Sequence, residues 1–293
     1  MRDAHLARAI AERLGVPVRR IREIVGQGEV NHVFVVNEEL VVRFGRDPLD
    51  ADDYAKEAWC LQTVRKHGVP VPDLVGTGNL EGIPYIVQQF VAGEDGSQNP
   101  KTESWRTLGQ YSRLIGGIPL DDAPDSLFPR FGRDLRSNWA QHLDYNVQAL
   151  GVDDPLVRLG VYAPSQIDGL RKLFENLEAF HSFGLSHGDL VPKNTILSGE
   201  GTLVVIDWGS ATTGPLPYFD VLRIWEDPLH RLEEASVFAQ GYGTSLEDLL
   251  PTLRGLKLLG RIDVVRWAID TRPDRIQALA EEARRVVQES LPR

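Results

Sequence analysis

The feature that most constrains this chain is a change of hydrophobic period about a third of the way along it. Between Ile21 and Gly45, short apolar alternations such as HVFVV and ELVVRF are divided by the turn-prone GQG and NEE, the pattern of successive antiparallel strands. Further strands are expected around Leu74–Gly76 and Pro84–Phe90. Between them the segment Asp50–His67 spaces Tyr54, Ala58, Trp59, Leu61 and Val64 as one face of a helix. Beyond Gly96 the pattern lengthens into helices near Thr102–Gly116, Leu135–Leu150 and Ser165–Phe183. Two short apolar strands, NTIL and LVVID, interrupt them, and the stretch Leu246–Ser290 returns to helix with Pro273 as a breaker. At 293 residues the chain is also long for a single hydrophobic core, which stops growing at about 250–300 residues. The expected architecture is therefore α+β and bilobal. An antiparallel-sheet N-lobe covers residues 1–93 and a mainly helical C-lobe covers 94–293, with the boundary at Phe90–Asp95 and the site in the cleft between them.

Composition narrows the possible functions. No apolar run approaches the roughly 20 residues that span a bilayer, and MRDAHLARAIAERLG reads as an amphipathic helix rather than a secretory signal. A cytoplasmic protein without a membrane partner is expected. The single cysteine, Cys60, excludes an internal disulfide and a cysteine-based zinc site. With 32 basic against 42 acidic residues, the net charge of −10 opposes binding to nucleic acid and suits a cationic ligand if the acid gathers at a site. Neither G-x-x-x-x-G-K-[ST] nor a full G-x-G-x-x-G is present, which argues against P-loop and Rossmann enzymes. The expected assembly is a monomer or weak dimer.

The stretch that carries chemistry is HGDLVPKNTIL, residues 187–197, followed by LVVIDWG, residues 203–209. Phosphoryl transfer needs a carboxylate to orient or deprotonate the attacking hydroxyl and metal ligands to neutralise the phosphates. Asp189, five residues before Asn194, supplies the first, while Asn194 and Asp207 offer oxygen ligands suited to Mg²⁺. Asp207 ends a wholly apolar strand, which would hold its carboxylate rigidly at the strand's mouth. Any one of the three could be an ordinary turn residue. Acid, amide, apolar strand and acid in that order argue for a site.

These two motifs resemble the signature of the aminoglycoside phosphotransferase and choline kinase group, which is similar in fold to protein kinases. The segment 126–146 resembles in placement an insert of hygromycin phosphotransferase-like members. The resemblance implies transfer of a phosphoryl group from ATP or GTP, with Mg²⁺, to a hydroxyl of a small molecule. Asp189 then takes the catalytic-base position, Asn194 and Asp207 bind the metal, and His187 supports the loop. Asp220 is implied to accept hydrogen bonds from the catalytic-loop backbone. Gly188 stands where protein kinases have arginine, and Trp208 where they have phenylalanine. In the N-lobe, Gly28 and Asn31 fall in the degenerate nucleotide loop, a segment that by itself is also an acceptable hairpin turn. Arg43 and Glu57 occupy the places of the kinase lysine–glutamate pair, the alternative being a surface ion pair of little worth. Gln88, Gln89 and Val91 fall at the hinge that meets the purine, with Gly93 just beyond.

The acceptor is expected in the C-lobe, where Asp134, Asp144, Glu226 and Asp227 are acidic candidates for holding a polyamine. An aminoglycoside or aminocyclitol antibiotic is the favoured acceptor. The alternatives are a metabolic kinase acting on choline, homoserine or a sugar, a macrolide kinase, and a nucleotide-binding pseudokinase module. Retention of Asp189, Asn194 and Asp207 argues against the last, since a module that only binds needs no base.

Overall fold

Strand alternation in the first part of the chain sorts its side chains between two layers. The computed structural model describes residues 2–24, 32–45, 50–98, 100–226 and 232–291. Its N-terminal part runs α1 (Arg2–Arg13), β1 (Ile21–Glu23), β2 (His32–Val36), β3 (Leu40–Phe44), α2 (Asp50–Lys66), β4 (Leu74–Leu80) and β5 (Ile83–Gln89). The strands form one antiparallel sheet in the order β1-β2-β3-β5-β4. Because successive strand residues face opposite sides, Leu40, Val42 and Phe44 join Phe34, Tyr85 and Val87 in a core with Ala7, Ile10 and Ala11 of α1. Arg43, paired in register with Val33 and Ile86, consequently falls on the other face, toward α2.

The remainder runs β6 (Gly93–Asp95), α3 (Thr102–Gly116), α4 (Leu135–Ala149), α5 (Pro155–Arg158), α6 (Ile167–Glu175), β7 (Phe183–Ser186), β8 (Thr195–Ser198), β9 (Leu203–Val205) and β10 (Thr212–Pro215). It ends with α7 (Tyr218–Glu226), α8 (Leu232–Tyr242), α9 (Leu246–Thr271) and α10 (Ile276–Ser290). Small antiparallel ladders join β6 to β8, β8 to β9, and β7 to β10. The α+β class and the division into a sheet-rich first part and a mainly helical remainder agree with the pattern read from the sequence.

Three differences have local causes. The helix expected over 165–183 ends at Glu175, where a 3₁₀ turn Asn176–Ala179 and an extended Phe180 lead into β7. Strand β4 continues past Gly76 to Leu80 because its pairing with β5 resumes after a bulge between Leu74 and Gly76. Strands β7 and β10 are four residues each and contain glycine or proline, so neither carries an alternation readable in advance.

Helix α2 is the element that ties the two parts together. Its Tyr54, Cys60, Leu61 and Val64 share one core with Trp105 and Leu108 of α3, Trp208, and Phe238 of α8. A backbone bond from Val205 N–H to Pro70 O, 2.8 Å, adds a direct link from β9 to the segment after α2. A separate core joins α4, α6, α9 and α10 through Trp139, Leu143, Phe174, Ile262 and Val287. Among the described residues no helix is long and apolar enough to cross a membrane.

Candidate active site

The turn from β7 to β8 carries His187, Gly188, Asp189 and Asn194, and its shape follows from Gly188. That residue has φ +79°, and a Cβ there would lie 2.3 Å from the Ser210 carbonyl oxygen. A side chain, including the arginine of protein kinases, does not fit. Asp220, at the start of α7 and buried, then fastens the turn. Its Oδ1 accepts the Gly188 N–H at 2.8 Å and its Oδ2 accepts the Ser112 hydroxyl of α3 at 2.9 Å. Burial pushes the Asp220 carboxyl above its ordinary range against the pull of these donors. His187, fully buried against Trp208 with ring centroids 4.6 Å apart, acts as a spacer. Its Nε2 lies 3.1 Å from the Ile206 carbonyl and its Nδ1 accepts the Asp189 N–H at 3.3 Å, so both ring nitrogens are spent on backbone.

Asp189 is the focus of three donors. Arg223 Nε donates to Oδ1 at 2.7 Å, while Lys193 Nζ and Asn194 Nδ2 approach Oδ2 at 2.9 Å each. Burial pushes this carboxyl up, but the Lys193 and Asn194 hydrogen bonds and the Lys193 and Arg223 charges outweigh it. They hold it below the ordinary carboxylate range.

The same amide nitrogen of Asn194 also donates to the Asp189 carbonyl at 2.8 Å, which leaves its amide oxygen directed away from that residue. The Ile206 N–H donates to the Asn194 carbonyl at 2.9 Å, so the end of the turn carrying Asp189 and the end of β9 are one hydrogen-bonded unit. Asp207 follows in the left-handed conformation, φ 61° and ψ 70°, which Asp tolerates better than most residues. Its side chain is 55% exposed and Oδ1 lies 3.5 Å from Arg43 Nη2.

Arg43 reaches Asp207 from one side and Glu57 of α2 from the other. Its Nη1 donates to Glu57 Oε1 at 2.6 Å, and the same oxygen accepts Gln88 Nε2 at 2.7 Å. The two side chains are 14% and 2% exposed, so this is a buried pair rather than the surface pair that the sequence left open. Burial pushes Glu57 up. The Arg43 guanidinium, though burial works against its charge, is held up by Glu57 and Asp207. Gln88 therefore spends its side chain inside the protein. Gln89 is exposed, and its N–H donates to Asp73 O at 2.8 Å, while the next residue, Phe90, donates its N–H to Glu39 O, also at 2.8 Å. Val91 is half-buried. Gly28, Asn31 and Asp227 lie outside the described residues.

Beside the Gly188–Asn194 turn opens a cavity of about 390 Å³, to which Gly188 and Arg223 contribute the edge nearest Asp189. Pro129, Leu135, Trp139, Phe219 and Leu222 give it apolar walls, and among the described residues Glu226 is its only carboxylate. Burial pushes Glu226 up, against Arg261, whose Nη2 lies 3.4 Å away. Asp134 and Asp144 do not line this cavity. The Asp134 carboxylate caps α4 by accepting the Ser137 N–H at 2.8 Å, and Asp144 accepts Gln148 Nε2 at 2.7 Å on the exposed side of the same helix.

Two residues that touch Asp189 were missed from the sequence. Lys193 stands four residues after it, and Arg223 stands three after Asp220 on α7, one turn along the face that meets the turn carrying Asp189. The second signal was legible once Asp220 had been assigned to that turn.

The profile of the phosphotransferase enzyme family matches residues 21–259. No curated protein sequence matches the chain. Among solved structures, the GDP complex of aminoglycoside 2'-phosphotransferase-IIIa is 20% identical, with TM-score 0.69 and 98% and 97% of the two chains covered. The apoenzyme of macrolide 2'-phosphotransferase MphH from Brachybacterium faecium is 19% identical, with TM-score 0.66 and both chains wholly covered. ADP-bound aminoglycoside phosphotransferase APH(2'')-Ib is 14% identical, with TM-score 0.68 and 99% of each chain covered. At such identities the likeness establishes the kinase-like fold.

Proposed function

The chain belongs to the phosphotransferase enzyme family, and from that premise we propose that it transfers the γ-phosphoryl group of ATP or GTP to a hydroxyl of a ringed small molecule, with Asp189 as the catalytic carboxylate. The observation that carries this is the placement of Asp189 between two sets of groups. Arg223 and Gly188 connect it to a cavity of a size suited to an acceptor, and Asn194 connects it to Asp207 and the nucleotide side.

In this reading the acceptor hydroxyl sits in the cavity against Asp189. A carboxylate held below its ordinary range is a weak base, so its main work is to orient the hydroxyl, accepting the proton as the oxygen–phosphorus bond forms. An amide oxygen from Asn194 and a carboxylate from Asp207 fit Mg²⁺, which takes few protein ligands when nucleotide phosphates complete its shell. The bound ion would neutralise charge on those phosphates. Arg43, fixed by Glu57, turns its remaining donors toward the phosphates. At the hinge the Gln89 and Phe90 amides are already used, which leaves Val91 to meet the purine.

The favoured acceptor is an aminoglycoside or aminocyclitol, with a macrolide as second reading. The first is supported by the aminoglycosides named for structural relatives, and the second by MphH together with the apolar walls of the cavity. Choline and homoserine are less well suited, being small for about 390 Å³.

The test is acceptor-dependent nucleotide consumption across aminoglycosides, macrolides and small alcohols, with the product identified by phosphorus NMR. Asp189→Asn should lower kcat by about 10²–10⁴-fold while nucleotide binding is kept. Turnover at the wild-type rate in that variant overturns the role of Asp189. No turnover with any hydroxyl acceptor overturns the transferase reading.

A further inference from the structure

The carboxylate of Asp189 is divided between two sides of the site. Its Oδ1 meets Arg223 at 2.7 Å, and Arg223 lines the cavity assigned to the acceptor. Its Oδ2 takes Lys193 Nζ and Asn194 Nδ2 at 2.9 Å each, and neither of those residues lines that cavity. Lys193 therefore stands on the side of Asn194. Through the bond from Ile206 N–H to the Asn194 carbonyl, this is also the side of Asp207, where the reading above puts the nucleotide phosphates.

The two partners of Oδ2 differ in what they have left to give. Asn194 is buried, and the same amide nitrogen also donates to the Asp189 carbonyl at 2.8 Å. Lys193 has a fixed backbone, in the middle of the 3₁₀ turn Pro192–Asn194. That turn is closed by Asn194 N–H to Val191 O at 2.9 Å and by the Thr195 hydroxyl to Pro192 O at 2.8 Å. Its side chain is 50% exposed, and its ammonium carries three N–H donors, of which the Asp189 contact uses one. A half-exposed pair of this kind adds little to stability. It does hold a positive charge one hydrogen bond from the carboxylate that orients the acceptor. In a transfer geometry the hydroxyl oxygen lies about 2.7 Å from that carboxylate and the phosphorus about 3–3.5 Å further on. The oxygens of the moving phosphoryl group then come within reach of the remaining donors. Arg43 is placed differently, tied to Glu57 at 2.6 Å and lying beside Asp207.

Resting on the phosphotransferase reading above, we infer that Lys193 is a second catalytic residue, whose ammonium bridges Asp189 and the γ-phosphoryl group during transfer. As the acceptor oxygen forms its bond to phosphorus, the bond from phosphorus to the β–γ bridging oxygen breaks. The nucleoside diphosphate leaves with that electron pair, and the hydroxyl proton passes to Asp189. Lys193 meets the charge spread over the three oxygens of the moving group. It should therefore contribute to the binding of triphosphate and not of diphosphate.

The experiment uses the full chain with Mg²⁺ and no acceptor. Calorimetry gives the dissociation constants of ADP and GDP and of the non-hydrolysable triphosphates AMPPNP and GMPPNP. For the base that the wild type binds, Lys193→Met should weaken the triphosphate about tenfold, as the loss of a charge-assisted hydrogen bond does, and leave the diphosphate unchanged. An unchanged diphosphate constant also shows that the variant is folded, and Lys193→Gln serves the same comparison if it is not. Lys193→Arg keeps a cation and should restore the preference for triphosphate. With an acceptor that the wild type turns over, kcat in Lys193→Met should fall about 10²-fold, the effect of one donor aimed at developing charge.

Equal weakening of both nucleotides, or no change in either, overturns the role of Lys193. The same measurements in Asp189→Asn remove any repulsion between an uncovered carboxylate and the γ-phosphate. A Lys193 effect that disappears in that background belongs to screening of Asp189 and overturns the direct contact. Failure of the two readings can be told apart. Nucleotide binding and acceptor turnover indifferent to Lys193 remove this residue and leave phosphoryl transfer standing. A triphosphate-specific effect of Lys193 without turnover of any acceptor supports the contact and removes the transfer.

Discussion

Replacement of Glu57 by glutamine separates the charge of the Arg43–Glu57 pair from its shape. Both donors, Arg43 Nη1 at 2.6 Å and Gln88 Nε2 at 2.7 Å, meet the same oxygen, Oε1. In Glu57→Gln the amide oxygen can take that position and keep both hydrogen bonds. The negative charge is lost. A bond to a charged group contributes about 1.5–3 kcal/mol and a neutral one about 0.5–1.5, so the stability lost should be about 1–3 kcal/mol. Glu57→Ala removes the acceptor altogether and leaves a guanidinium that is 14% exposed without its main partner, for which about 3–5 kcal/mol is expected. In the glutamine variant Asp207, 3.5 Å from Nη2, becomes the nearest anion, and Arg43 should lean toward it and away from the phosphates. If about 1.4 kcal/mol of its anchoring is lost, the KM for nucleotide rises about tenfold. Denaturant unfolding at constant m-value gives the first quantity and steady-state kinetics the second. A wild-type nucleotide KM in Glu57→Gln, or a stability loss equal to that of Glu57→Ala, would refute the assignment of Arg43 to the phosphates through the charge of Glu57.

Other outcomes follow from the same geometry. Lys193→Met removes a cation 2.9 Å from Asp189 and should let its carboxyl rise toward the ordinary value, moving the acid limb of the kcat/KM profile to higher pH; an unmoved limb counts against it. The sign for stability agrees: a depressed carboxyl contributes stability above its unfolded pKa and loses it as pH falls through the folded value, so the variant, whose carboxyl lies nearer the ordinary value, should be less stable than the wild type near neutral pH by a deficit that closes in acid. Asp207→Ala should weaken Mg²⁺-dependent nucleotide binding in calorimetry far more than Glu200→Ala, on the exposed turn after β8; equal metal dependence in the two removes Asp207 from the metal.

How much of this was legible beforehand depended on whether a residue acts through local pattern or through a partner distant in sequence. The sheet and long helices could be read because their periods are local, and the ordered set Asp189, Asn194 and Asp207 because its spacing is short. Glu57 could be proposed opposite Arg43, but nothing in the sequence decided between a surface and a buried pair. The deciding fact is the packing of α2 into the core shared with α3 and α8, built from contacts far apart in the chain. Arg223 was missed since it meets Asp189 across 34 positions. Two of the acidic candidates, Asp134 and Asp144, stand apart from the cavity for the opposite reason. Asp134 looked available as a charge, but an Asp immediately before a helix has a local use, accepting an N–H of the first turn, and the structure shows that use.

That last point bears on what the acid of this chain does at the acceptor. A net charge of −10 suggests a field attractive to cations, yet charge acts on a bound ligand through the few groups that face it. Glu226 faces the inner cavity with Arg261 at 3.4 Å and Arg223 in the same wall, so its charge is largely compensated there. Asp263 is engaged by His142 and Asn146. With those carboxylates partnered and the inner walls supplied by Pro129, Leu135, Trp139, Phe219 and Leu222, discrimination near the reacting hydroxyl falls to shape and apolar contact. Contact of that kind is not weakened by salt, whereas attraction by exposed charges fades over a screening length of about 8 Å at physiological ionic strength. In the proposed reading, acid elsewhere on the molecule would speed the approach of a cationic acceptor, while the walls beside Asp189 would discriminate among ringed alcohols at the reacting hydroxyl.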